Sequence, residues 1–153
     1  LNLDNMVIAA PDMGGTKRAN AYARFLETDM VIGYKLRKKA NVVSEMKLIG
    51  DVQDKDVVIV DDMVDTAGTI CIASDLICGM GARSVRVICT HPVLSGPAYE
   101  RIENSAITEM IVTDTIPLRA PHPKIKVLSV ADVFAEVIRN VHNHESISGN
   151  FLV

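Results

Sequence analysis

Two adjacent acids, Asp61 and Asp62, follow the apolar run Val57-Val58-Ile59-Val60, and Asp65-Thr66-Ala67-Gly68-Thr69 then opens what reads as a helix. Neighbouring carboxylates at the end of an apolar strand repel each other and lose hydration, so they need a cation, hydroxyl donors or a crevice open to water. A ribose supplies hydroxyl donors, and a magnesium ion supplies charge. The small residues of the loop let backbone N–H groups approach an anion closely, and the dipole of the following helix favours negative charge there. A phosphate fits at Asp65 to Thr69. Taken singly, a strand ending in a polar turn with Asp65 or Thr66 as helix cap is commonplace. The features together point to a phosphorylated sugar.

A second junction, Ala10-Pro11-Asp12-Met13-Gly14-Gly15-Thr16-Lys17-Arg18, combines an acid, two glycines and two cations. Gly14 and Gly15 allow close approach of the backbone, Asp12 could hold a magnesium ion, and Lys17 or Arg18 could neutralise phosphate. On its own the segment serves equally well as a tight turn with solvated charges. Lys35 and Arg37 alternate at the end of a strand, so both can point the same way. Aimed at a crevice they could neutralise charge developing in phosphoryl transfer, but spacing alone favours a solvated basic loop. His91, His122, His142 and His144 are scattered without ligand spacing and read as non-ligands. Cys71, Cys78 and Cys89 lack C-x-x-C spacing and read as buried free thiols.

These residues need a scaffold, and the pattern supplies alternating strands and helices. Met6 to Ala10, Met30 to Tyr34, Val57 to Val60, Ser84 to Thr90, Met110 to Thr113 and Ile125 to Leu128 read as strands. Helices are expected over Lys17 to Glu27, Thr69 to Cys78, Ser95 to about Glu103, and after a Ser129 cap with Val133, Phe134, Val137, Ile138 and Val141 on one face. Lys35 to Ser44 has neither period nor core and reads as a mobile loop. The expected fold is α/β, a mostly parallel five- or six-stranded sheet with helices on both faces. In an open sheet of this kind, ligands bind at the C-terminal ends of the strands, where both acid-bearing turns fall.

The 153 residues suit one domain, 1–153, with an ordinary balance of 48% apolar and 23% charged residues. A net charge of −3, no Trp, and only three Tyr and three Phe give no footing for nucleic acid. No apolar run approaches the roughly 18 residues of a membrane span, and the expected location is cytoplasmic. Position 1 is Leu rather than Met, which suggests a piece of something longer.

The central run resembles the phosphoribosyl-diphosphate-binding motif of type I phosphoribosyltransferases and their relatives. Further segments narrow the resemblance: Pro11 to Arg18, Lys35 to Asn41, Ile49-Gly50-Asp51-Val52, Thr90-His91-Pro92-Val93-Leu94-Ser95-Gly96-Pro97-Ala98, Thr113 to Pro117 and Glu145 to Ser148. In that order they are similar to the C-terminal half of the ribose-phosphate pyrophosphokinase family, the phosphoribosyl-pyrophosphate synthetases. The resemblance implies a type I phosphoribosyltransferase-like fold and transfer of the diphosphoryl group of ATP to the 1-hydroxyl of ribose 5-phosphate, with magnesium required. It assigns the ribose hydroxyls to Asp61 and Asp62, and the 5-phosphate to Asp65, Thr66, Ala67, Gly68 and Thr69. Asp12 becomes a magnesium ligand, Gly14 and Gly15 part of the diphosphate loop, and Lys35 and Arg37 the catalytic pair of a flexible loop. It further implies an allosteric anion site at Ser146, Ile147, Ser148 and Phe151, and assembly as dimers within a hexamer. Where the family often has a second glycine, this chain has Ala67. An N-terminal half carrying most adenine contacts is expected to be absent, and alternatives are a non-catalytic regulatory or truncated ribose 5-phosphate-binding homologue, or a phosphoribosyltransferase using the same loop.

Overall fold

The computed structural model describes residues 5–36 and 45–151. Seven strands form one sheet in the order β3-β2-β1-β4-β5-β6-β7. They are β1 (Met6–Ala10), β2 (Asp29–Leu36), β3 (Glu45–Ile49), β4 (Asp56–Val64), β5 (Ser84–Pro92), β6 (Glu109–Thr113) and β7 (Ile125–Leu128). All pairings are parallel except β2 with β3, which is antiparallel with Ile32 opposite Ile49 and Lys35 opposite Met46. The mostly parallel α/β architecture agrees with the sequence, but the strand count is higher than five or six. The added strand is β3, whose Glu45-Met46-Lys47-Leu48-Ile49 is short and pairs on one side only.

Alternation along the strands sorts the core into two layers. Met6, Ile8, Ala10, Val58 and Val60 pack with Ala19 and Ala23 of α1 (Thr16–Phe25). The intervening residues Val7, Ala9, Val57 and Ile59 face Ile70, Ala73 and Ile77 of α2 (Gly68–Gly79) and Ile102 of α3 (Ala98–Asn104). Because β1 and the first half of β4 are covered on both sides, their sequences are continuous apolar runs. Each large side chain so buried stabilises the fold by about 1.5–3 kcal/mol. Cys71 and Cys89 are buried in the second layer, and Cys78 is half-buried against it.

Three expectations change. The strand expected to end at Val60 continues to Val64, so Asp61 and Asp62 lie inside β4 rather than at its end. The stretch from Lys35 to Ser44 contributes Lys35 and Leu36 to β2; residues 37–44, and with them Arg37, lie outside the described residues. The last helix, α4 (Ala131–His142), starts after Val130, with Ser129 Oγ accepting the Ala131 N–H and Asp114 Oδ1 the Val130 N–H. Its apolar face does not enter the core: Val133, Phe134, Ile138 and Val141 are more than half exposed. Helical period marks which face is apolar but says nothing of what covers it, and α4 follows an edge strand.

Candidate active site

The strand order reverses between β1 and β4, whose neighbours β2 and β5 lie on opposite sides. In doubly wound sheets such a switch point opens a crevice beyond the C-terminal strand ends. A cavity of about 220 Å³ lies there, lined by Asp12, Asp61, Met63, Val64 and Asp65 through Ile70. The two acid-bearing junctions of the sequence thus meet in one place.

After β1, Pro11 leads into a 3-10 turn, Met13–Gly15. Asp12 Oδ1 accepts the N–H groups of Gly14 at 3.0 Å and Gly15 at 3.3 Å, which fixes the carboxylate at the mouth of the turn. The turn lies close against β2 because Gly33 has no side chain: a Cβ there would sit 2.7 Å from the Pro11 carbonyl oxygen. Asp12 itself reaches the cavity, while Gly14 and Gly15 hold its carboxylate through their N–H groups and do not line that cavity.

On β4, Asp61 is half-buried and Asp62 exposed. Arg18, projecting from α1, bridges them: Nη1 lies 3.1 Å from Asp61 Oδ1 and Nη2 2.7 Å from Asp62 Oδ2. The Asp62 N–H also donates to Asp61 Oδ1. Burial pushes the Asp61 carboxyl above its ordinary value, with the negative charge of Asp62 acting in the same direction. Burial acts likewise on Asp62, but the Arg18 guanidinium and hydrogen bonding outweigh it and hold that carboxyl lower.

The loop Asp65 to Thr69 follows β4 directly. Ala67 adopts a left-handed conformation (φ 59°, ψ 5°), and the start of α2 carries no side-chain cap. A helix start of this kind presents backbone N–H groups and a positive dipole end to an anion. The connection from β5 to α3 braces the loop from outside. The Leu94 N–H donates to Val64 O at 3.1 Å, the Ser95 N–H to Asp65 O at 3.0 Å, and Ser95 Oγ to Asp65 Oδ1. Arg101 of α3 donates from Nη1 to Thr66 O at 2.9 Å.

Asp12, Asp61, Asp65, Thr66, Ala67, Gly68 and Thr69 therefore share one cavity, with Asp62 beside it on Arg18. Lys35 lies at the C-terminal end of β2, and Arg37 is outside the described residues. Ser146, Ile147, Ser148 and Phe151 lie in the tail after α4, where Ser146 Oγ and Ser148 Oγ are 2.9 Å apart and Phe151 is exposed; none of them lines the cavity. Arg18 as the partner of both acids, and Ser95 and Arg101 as braces, are not apparent from local spacing. The only sequence signal was the polar turn Ser95-Gly96-Pro97.

Comparison with solved structures places the fold in a known class. Adenine phosphoribosyl transferase from Trypanosoma brucei, crystallised with AMP, pyrophosphate and ribose-5-phosphate, superposes with a TM-score of 0.55 over 86% of this chain and 68% of that one, at 18% identity. The fold is that of the phosphoribosyltransferases. Phosphoribosylpyrophosphate synthetase from Mycobacterium smegmatis is nearer, with a TM-score of 0.84 and 35% identity over 93% of this chain and 47% of its own. Ribose-phosphate pyrophosphokinases from Porphyromonas gingivalis and Wolinella succinogenes are 58% and 54% identical, covering 95% and 99% of this chain and 47% and 49% of theirs. Residues 37–152 match the family model of the phosphoribosyl synthetase-associated domain, and the chain belongs to that family. It spans about half the length of the curated relatives it matches.

Proposed function

We propose that this chain is the ribose 5-phosphate-binding half of a ribose-phosphate diphosphokinase, which transfers the diphosphoryl group of ATP to the 1-hydroxyl of ribose 5-phosphate and yields phosphoribosyl diphosphate and AMP. The observation that carries the reading is the meeting of Asp12, Asp61 and the Asp65 to Thr69 loop in one cavity at the switch point. The likeness to ribose-phosphate pyrophosphokinases supports the reaction. Asp61 and Asp62 accept hydrogen bonds from the ribose hydroxyls, in competition with Arg18, while the loop amides hold the 5-phosphate. Lys35 and Arg37 then stabilise charge on the transferring group. In-line diphosphoryl transfer needs positioning and electrostatics more than covalent help from the protein.

The donor set fits magnesium. Asp12 and Asp61 offer hard carboxylate oxygens at the cavity, although no group of three or more His, Cys, Asp or Glu among the described residues could hold a metal ion by itself. Magnesium is commonly held by one or two carboxylates with substrate oxygens and water completing the shell. Asp12 would be its ligand, and the bound ion would neutralise phosphate charge. The same reading includes the cytoplasm as location and assembly into dimers within a hexamer. An anion site at Ser146, Ile147, Ser148 and Phe151 belongs to it as well. The half-length match favours a second reading, in which this chain binds ribose 5-phosphate without turnover by itself.

Calorimetric titration of the chain with ribose 5-phosphate and, separately, with ribose tests the proposal. Binding of the phosphorylated sugar with none of ribose is expected, and equal or absent binding of both contradicts it.

A further inference from the structure

The phosphate loop is held in shape from outside the cavity. Arg101 Nη1 lies 2.9 Å from the carbonyl oxygen of Thr66, between residues 35 positions apart in the chain. Across a trans peptide the C=O and N–H groups point in opposite directions. A Thr66 carbonyl drawn outward to α3 therefore turns the Ala67 N–H of the same peptide toward the side on which Thr66, Ala67 and Gly68 line the cavity. If this peptide turned over, a carbonyl oxygen would face the anion in place of a donor.

Two further features make the brace necessary and possible. Ala67 occupies the left-handed region at φ 59°, which is sterically costly for a residue with a Cβ, so the conformation persists only when its surroundings impose it. Gly68 leaves the passage through which the guanidinium arrives: a Cβ there would lie 3.3 Å from Arg101 Nη1. The guanidinium is the suitable head group, since its planar fork spends less conformational freedom per hydrogen bond than an ammonium.

We propose that Arg101 is a positioning residue for the phosphate loop, holding the Thr66 carbonyl outward so that the Ala67 amide is presented to the phosphate group of the ligand. The inference rests on the phosphosugar reading of the cavity and assigns Arg101 no contact with the ligand. It acts through the peptide it holds.

The test uses the whole chain and two readouts. Calorimetry with ribose 5-phosphate compares the unaltered chain, Arg101→Ala and Arg101→Lys, while amide hydrogen exchange is followed at Ala67 and Gly68 without ligand. Losing a hydrogen bond from a charged donor is expected to weaken binding roughly tenfold in Arg101→Ala. Exchange at Ala67 and Gly68 should quicken while that of β4 and β5 stays as it was, and Arg101→Lys, which keeps a donor without the fork, should restore part of both. Unchanged affinity in Arg101→Ala overturns the proposal whatever the exchange shows. If the unaltered chain does not bind ribose 5-phosphate, the phosphosugar reading falls, and exchange at Ala67 and Gly68 alone decides whether Arg101 sets the loop.

Discussion

Arg18 Nη2 sits 2.7 Å from Asp62 Oδ2, so a cation from α1 closes the acid pair of β4. The pairing gives the two carboxylates a counter-charge that the strand alone does not provide. Because both partners are partly exposed, the ion pair itself stabilises the fold by no more than about 1 kcal/mol. Its larger effect is on protonation. Arg18→Ala is expected to raise the pH at which the Asp61–Asp62 pair ionises, because removing a nearby cation disfavours the charged carboxylate. Carboxyl-carbon NMR titration checks this, and an unmoved midpoint contradicts it.

Asp56, buried at the start of β4, accepts hydrogen bonds from Arg83 Nε at 3.1 Å, from Arg83 Nη2 and from Ser84 Oγ at 2.6 Å. The Arg83 hydrogen bond first, then that of Ser84, lowers its carboxyl from 3.8 to about 2. With the folded value below the unfolded one, the stabilisation is complete above about pH 4 and fades as pH falls toward 2. Asp56→Asn should cost about 1.5–3 kcal/mol at neutral pH and almost nothing near pH 2. Urea unfolding at several pH values measures the difference, and a cost independent of pH speaks against the assignment.

Lys35 and Arg37 are proposed to act on the transition state. In an enzyme that releases AMP and includes this domain, Lys35→Ala or Arg37→Ala should lower kcat by on the order of a hundredfold with little change in KM. A raised KM with normal kcat would make them binding residues instead.

At Gly68 a Cβ would lie only 3.3 Å from Arg101 Nη1. Gly68→Val adds a branched side chain there and should weaken ribose 5-phosphate by roughly tenfold or more, through lost amide contacts. Calorimetry of the variant decides it, since normal affinity would show that the loop tolerates the displacement.

How far the chain discloses itself depends on the distance over which information must travel. The β4 to α2 run was legible because an apolar strand, an acid pair and a small-residue loop before a helix are all local patterns, and their order in the chain is their order in space. The placement of Asp12 beside them agrees with the rule that ligands bind at the C-terminal ends of the strands in an open sheet. Arg18 with Asp61, 43 residues apart, and Arg101 with Thr66, 35 apart, are products of packing that no local spacing encodes. The β3 strand escaped because Glu45-Met46-Lys47-Leu48-Ile49 is short and half-polar, and its neighbour β2 rather than its own pattern makes it a strand. For α4 the period was right and the burial wrong, since an apolar face specifies that something should cover it without specifying what.

The central claim is that Asp61 and Asp62 hold a phosphorylated ribose by its hydroxyls. Calorimetry of ribose 5-phosphate with the Asp61→Asn, Asp62→Asn double variant tests it most directly, because the amides keep shape and volume while losing charge and half the acceptor capacity. Loss of measurable binding, with the fold intact by circular dichroism, is the predicted result; affinity equal to that of the unaltered chain would contradict the account.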